Sequence, residues 1–283
     1  MSRAVPGSEG LEEGLRASFA KAAAREPLLG AGLGFVPPES RPAYAAWCAL
    51  LGELRECLFE RSDPRVSGLK AGWWAEELRG WGQGAWRHPV GRPLAALSGL
   101  GPAFPRIAAH LAAVAADSDP PADESAAFAA LRPLAEALVQ GEARLFGAAC
   151  DAATVDALAT HWLRQRLEHG LEAADRARVP LVFFARHGLR REQLPAPEAA
   201  ALRRDWALRL RDRLPTGAVA GLAYPRQLSL RGDRIALEAL AAGRKAPGTY
   251  ALGLVWQAWR LARRSAIATQ RSTGLTSTAP PPT

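Results

Sequence analysis

Lys70, Trp73, Trp74 and Glu77 stand three, four and seven residues apart in a stretch that carries four of the nine tryptophans, VSGLKAGWWAEELRGWGQGAWRHP, from Val66 to Pro89. On a helix these spacings put all four on one side with Leu78, so that an ammonium and a carboxylate lie near two indole rings. Such a side could bind a ligand with apolar and charged parts. The same spacing also suits a core stripe whose wet margin carries Lys70 and Glu77.

Paired carboxylates, the donors a hard divalent cation would need, occur on two other helical stretches. AWCALLGELRECLFE offers Glu53, Glu56 and Glu60, and HWLRQRLEHGLEAADRARVPL offers Glu168, Glu172 and Asp175. Glu56 and Glu60 share a face one turn apart, as do Glu168 and Glu172. Arg55 and Arg61 flank the first set, and Arg164, Arg166, Arg176 and Arg178 surround the second, so surface ion pairs are the expected use of both. No metal ligand and no cofactor is expected from them.

The five histidines are scattered. His161 and His169 lie eight apart, too far to share an ion without further ligands, and polar-margin or capping roles are expected. Cys48, Cys57 and Cys150 form no CxxC pair and are expected to be buried thiols in a reducing compartment. There is no GxGxxG opening a helix, no P-loop, no GxSxG and no HExxH.

Helices must position these groups. The 283 residues are 48% hydrophobic, rich in alanine, leucine and arginine and poor in strand formers, which predicts an all-α protein. Tyr44, Trp47, Leu50, Leu51, Leu54 and Leu58 predict the buried face of one helix, and a second is expected from Pro64 to Trp81, closed by Gly82 and Gly84. Further helices are expected near 11–25, 107–116, 126–150, 152–175, 197–214, 227–242 and 249–269, with Asp151 capping the helix that follows it. The organisation expected is an irregular segment with one helix over 1–38, one helical domain over 39–269, and a disordered Ser/Thr/Pro-rich tail over 270–283.

Charge is unevenly distributed. Residues 1–150 carry 15 Lys+Arg against 17 Asp+Glu, a net −2, and residues 151–283 carry 21 against 11, a net +10. The basic half fits either a solvated face or contact with an anionic surface. In the last helix Leu252, Val255, Trp256, Trp259 and Ile267 can form an apolar face beside Arg260, Arg263, Arg264 and Arg271, and that face suits core packing or a membrane surface. No apolar run approaches the roughly 20 residues needed to span a bilayer, and no secretory signal opens the chain, so a cytoplasmic protein, peripheral to a membrane at most, is expected. No nucleic-acid partner is expected.

Several stretches together resemble the squalene/phytoene synthase family, specifically a divergent bacterial branch similar to a mitochondrial complex I assembly factor. The resemblance is carried by Arg41 with Glu53-Leu54-Arg55, by Lys70-Ala71-Gly72-Trp73-Trp74-Ala75-Glu76-Glu77-Leu78, and by Gly84 followed by His88-Pro89-Val90. Leu145-Phe146-Gly147, Pro180-Leu181, Ala185-Arg186-His187-Gly188-Leu189 and Trp256 to Arg260 follow in the family's order. It implies the helical isoprenoid synthase fold around an apolar cavity for prenyl chains. Active members of the family condense two prenyl diphosphates head to head, with magnesium held by two aspartate-rich motifs.

Both motifs are missing here. Glu53 and Glu56 stand where the first would lie and Glu168 and Glu172 where the second would lie, and Arg178-Val179-Pro180 retains a weakened form of the ending that follows it. The resemblance therefore implies a protein that has lost magnesium-dependent condensation and binds an isoprenoid, a lipid or a protein partner, with Lys70, Trp73, Trp74, Glu77 and Arg178 as binding candidates. Two alternatives stay open: a prenyltransferase that uses Glu53, Glu56, Glu168 and Glu172 with magnesium, and an assembly factor or membrane-surface adaptor.

Overall fold

A computed structural model describes residues 11–59, 64–97, 99–117, 119–165, 167, 178–216, 221–244 and 251–274, with the backbone alone for 64, 251 and 265–274. Twelve α-helices and several 3-10 turns make up the described residues, and no strand occurs among them, as the composition predicts. The helices are α1 (Glu13–Arg25), α2 (Pro27–Gly32), α3 (Arg41–Phe59), α4 (Pro64–Gly82), α5 (Gly91–Ala95), α6 (Ala103–Ala116), α7 (Glu124–Phe146), α8 (Ala152–Gln165), α9 (Leu181–His187), α10 (Ala200–Asp212), α11 (Tyr224–Ala241) and α12 (Ala251–Gly274). No helix among the described residues is long and apolar enough to cross a membrane.

Local chemistry explains the boundaries that matter for the site. The Asp151 carboxylate accepts from the Thr154 backbone N–H at 2.8 Å and from the Thr154 hydroxyl at 2.8 Å, capping α8 as expected. Asp123 caps α7 in the same way, accepting from the Ala126 N–H at 2.9 Å, and Gly147 closes α7 in the left-handed conformation at φ 62°. The α12 backbone continues to Gly274, past the expected start of the tail at residue 270.

Packing joins α1 to α3, α3 to α4, α4 to α6, α6 to α7, α7 to α8, and α8 to α11, while α12 lies across α2 and α11. One continuous core runs through these contacts and contains Trp47, Trp74, Trp81, Trp162 and Trp206, all at most 1% exposed. Each such side chain removes about 150–250 Å² from water, worth roughly 4–6 kcal/mol as an upper bound. The Trp47 ring lies so close to Gly141 of α7 that a β-carbon there would meet it at 2.7 Å, which brings α3 and α7 together around the indole.

The described residues before 39, from 11 on, pack into this body. Leu15, Phe19, Leu28, Leu29 and Leu33 are buried in the common core, and Lys21 and Glu26 supply charges to the sites described next.

Candidate functional site

Glu53 and Glu56, three residues apart on α3, point at the junction of α1, α3 and α4. There they meet Lys21 of α1 and Lys70 of α4. Lys21 Nζ lies 2.8 Å from Glu53 Oε1 and also contacts Glu56, and Lys70 Nζ lies 2.9 Å from Glu53 Oε2 and 2.9 Å from Glu56 Oε1. Two ammoniums thus bridge two carboxylates, and the charges cancel.

Burial alone would raise both glutamates. The hydrogen bonds from Lys21 and Lys70 outweigh it, lowering Glu53 and holding Glu56 at about 2. Lys21 is raised, its burial outweighed by the same two partners. A recess beside the pair measures about 10 Å³, room for about one water.

Of the two neutralising partners expected from local sequence, Arg61 lies outside the described residues and Arg55 turns into the protein instead. Its side chain is 2% exposed, and its Nη1 lies 3.1 Å from Glu26 at the start of α2. Glu26 also accepts from the Ser229 hydroxyl at 2.9 Å and lies 3.2 Å from His161 Nε2. His161 Nδ1 meets Asp233 Oδ1 at 2.9 Å, and Arg164 Nε meets the same oxygen at 2.7 Å.

This centre draws on α2, α3, α8 and α11. Burial opposes charge on both His161 and Glu26, but the ion pairs prevail: Asp233 and Glu26 raise His161, and His161 with Arg55 holds Glu26 far below the usual carboxylate range. His161 is therefore a buried ion-pair residue rather than a polar-margin histidine.

A second buried pair lies on α7 and α11. Arg226 donates from Nη2 to Glu142 Oε1 at 2.5 Å and from Nε to Oε2 at 3.2 Å, and the Trp47 indole donates to Glu142 Oε1 at 3.0 Å. Both charged side chains are 2% exposed. This pair and the His161 centre are functional or structural nodes that carried no motif. A signal was nonetheless present: Arg55, Glu142 and Asp233 each interrupt an apolar stripe, between Leu51 and Leu58, Leu138 and Phe146, and Leu230 and Leu237.

On the tryptophan helix the four candidates divide. Lys70 serves the α3 glutamates. Glu77 is buried and accepts from the Trp81 indole at 2.9 Å, from the backbone N–H groups of Arg87 at 2.6 Å and His88 at 2.8 Å, and from Arg87 Nε at 2.9 Å. Although burial opposes it, these donors hold the carboxylate at about 2. Glu77 therefore fastens the loop after α4 and explains why HPV follows KxxWWxEEL at this distance.

Trp74 is core, at van der Waals range of Trp73, Trp81 and His88, with its indole N–H unpartnered. Trp73 is 37% exposed, with the Arg87 guanidinium 5.4 Å from its ring. Of the four, only Trp73 and the edge of Lys70 face solvent.

Arg178 is also internal. It adopts a left-handed φ of 48°, lies 3.1 Å from Asp117 Oδ2, and donates to the Val114 carbonyl at 3.1 Å, which satisfies the end of α6. At 5% exposure, this binding candidate is engaged by α6 and Asp117 within the protein. Glu168 and Glu172, with Glu60, Arg61, His169 and Asp175, lie outside the described residues. Cys48 and Cys57 are buried as expected, whereas Cys150 is exposed.

The α3 donor set does not fit magnesium. Mg²⁺ needs bare oxygens at about 2.0–2.1 Å, and here all four carboxylate oxygens face ammonium groups. A divalent ion about 4 Å from one lysine is opposed by roughly 8 kcal/mol at an effective dielectric of 20. Among the described residues, no group of three or more His, Cys, Asp or Glu side chains is placed to hold a metal ion.

No protein-family model and no curated protein matches the sequence. Among solved structures, the chain is similar to the crystal structure of squalene synthase HpnC from Alicyclobacillus acidocaldarius, at 18% identity and a TM-score of 0.49, over 83% of this chain and 96% of that one.

Proposed function

We propose that the chain is a squalene/phytoene synthase-like protein that does not condense prenyl diphosphates and serves instead to bind an isoprenoid, a lipid or a protein partner. One observation carries the reading: where the resemblance puts the first magnesium-binding motif, Glu53 and Glu56 are each clasped by Lys21 and Lys70. Ionising an allylic diphosphate requires concentrated positive charge at the leaving group. A site whose carboxylates are spent on the protein's own lysines cannot assemble that charge on a metal.

The alternative, condensation with glutamates in place of aspartates, requires both lysines to withdraw from α3. The test is incubation of the purified chain with farnesyl or geranylgeranyl diphosphate and magnesium, followed by extraction and product analysis. No squalene- or phytoene-type product is expected. Turnover that disappears in Glu53→Gln/Glu56→Gln would overturn the proposal in favour of the glutamate-based enzyme.

A further inference from the structure

The outer face of α12 combines exposed apolar groups with positive charge that no acidic side chain on that helix offsets. Ala258 is fully buried, and Leu254 and Leu261 pack against the core. The opposite side leaves Leu252 85%, Val255 41%, Trp256 54% and Trp259 40% exposed. These four fall at i, i+3, i+4 and i+7, a single stripe. The expectation that both tryptophans could pack into the core therefore fails: the core takes the other side of the helix.

Each tryptophan carries an arginine. The Arg260 guanidinium lies 4.5 Å from the Trp256 ring centre and that of Arg263 5.1 Å from Trp259. Beside them a groove of about 200 Å³ opens between α11 and α12, lined among others by Arg231, Arg234, Trp256, Arg260 and Arg264, with no carboxylate in its lining. From Ala239 to the last residue the sequence has six Lys+Arg and no Asp or Glu.

We infer that this face docks on an anionic lipid bilayer. Indoles and leucine held level with arginines match the boundary between headgroups and acyl chains, where aromatic rings are half apolar and half wet and guanidiniums pair with lipid phosphates. A solvated helix face has no use for four large apolar groups in one stripe. The charge sets the occupant: a neutral or acidic-poor surface would leave the groove's arginines uncompensated. This inference does not depend on whether prenyl condensation has been lost, because α12 and the α3 carboxylates are separate surfaces with separate assays.

The test is flotation of the full chain with phosphatidylcholine vesicles, with and without about a third phosphatidylglycerol, at low and high salt. Binding to the anionic vesicles that weakens with salt is expected. Each arginine near an anionic surface contributes about five-fold, so Arg260→Gln/Arg263→Gln/Arg264→Gln should reduce partitioning on the order of a hundred-fold. Trp256→Gln/Trp259→Gln should abolish quenching of tryptophan fluorescence by brominated lipid. Both variants should keep the native circular dichroism and melting midpoint, because the substituted side chains point outward.

Failure of the native chain to bind anionic vesicles at low salt would overturn the inference, as would undiminished binding by both variants. If the native chain ignores vesicles but the two variants lose a tightly co-purifying protein, the face belongs to a protein partner and the lipid assignment is wrong. Equal binding to vesicles and to soluble inorganic phosphate, with no brominated-lipid quenching, would reduce it to a free-anion site and likewise overturn it.

Discussion

Replacing Lys21 and Lys70 together by methionine should turn the α3 carboxylates from an internally neutralised pair into one that takes up a divalent cation. In the native chain the two ammoniums make four contacts with Glu53 and Glu56, three of them at 2.8–2.9 Å. Both glutamates are 12% exposed and Lys21 is 48% exposed. Solvent therefore screens the cluster, and its loss is expected to cost about 1–3 kcal/mol, below the penalty for breaking a fully buried pair.

In the variant, two carboxylates three residues apart lose both ammoniums, and a site of two carboxylates and waters binds Mg²⁺ or Ca²⁺ with a Kd on the order of 1 mM. At 10 mM ion this stabilises the folded state by about 1.4 kcal/mol. A chain of this size should then gain about 2–3 °C in melting midpoint. Thermal melts with and without 10 mM MgCl₂ check it: the native chain should shift by less than about 1 °C, and adding Glu53→Gln and Glu56→Gln to the lysine variant should remove the gain. A native shift as large as that of the variant would refute the claim that the lysines occupy the position a metal would take. So would a variant that folds yet shows no gain.

Two further expectations concern the interior. Arg226→Met should lower stability by about 3–5 kcal/mol, because it strands the Glu142 carboxylate with one indole donor; Arg226→Met/Glu142→Gln should recover most of that loss, since the amide oxygen still accepts from Trp47. Urea midpoints at constant m-value decide it, and a double variant as unstable as the single one would count against the pairing. Stability should also fall on both sides of mildly acidic pH. Glu53, Glu56 and Glu77 are held low, so their contribution is complete above the unfolded carboxylate value near 4.3 and is lost as pH falls toward about 2. His161 is raised, so its contribution is present below about 6.5 and is lost as pH rises through its folded value. His88, lowered by burial, has the opposite sign, so the measurement is the native minus His161→Gln difference in urea midpoint, which should decline as pH rises above about 6.5; a flat difference would contradict the ion-paired imidazole.

Helix periodicity made most of the fold legible. Tyr44, Trp47, Leu50, Leu54 and Leu58 do form the buried face of α3, with Leu51 only half-buried at its edge, α4 begins at Pro64 as expected, and Asp151 caps α8. The charges were less legible because the sequence offers only local partners. Arg55 stands next to Glu56 in the chain, but its side chain leaves the helix on the apolar side, and the partners that matter are Lys21, 32 residues before Glu53, and Lys70, 14 residues after Glu56. His161 meets Glu26 across 135 residues and Asp233 across 72. No spacing rule reaches that far. What the sequence could have revealed is that a charge set inside an apolar stripe must find a buried partner, since leaving it unpaired costs several kcal/mol.

The placement of charge bears on where this protein meets other molecules. A diphosphate or a metal is drawn to a centre by charge that the protein has not already cancelled. At the α1–α3–α4 junction two positive groups cancel two negative ones, and in the interior Glu142 is matched by Arg226 and Asp233 by Arg164 and His161. The tryptophan helix engages Glu77 with its own loop and Lys70 with α3, so the charges of both are met within the protein. Uncancelled charge lies instead on α12, beside the exposed indoles, and in the arginines across the groove on α11. Charge is thus cancelled at the centre of this helical body and left over on its α12 rim. The paired experiments separate the two halves of that statement: the lysine variant asks whether the centre was closed by its own side chains, and the vesicle assay asks what the rim was left open to meet.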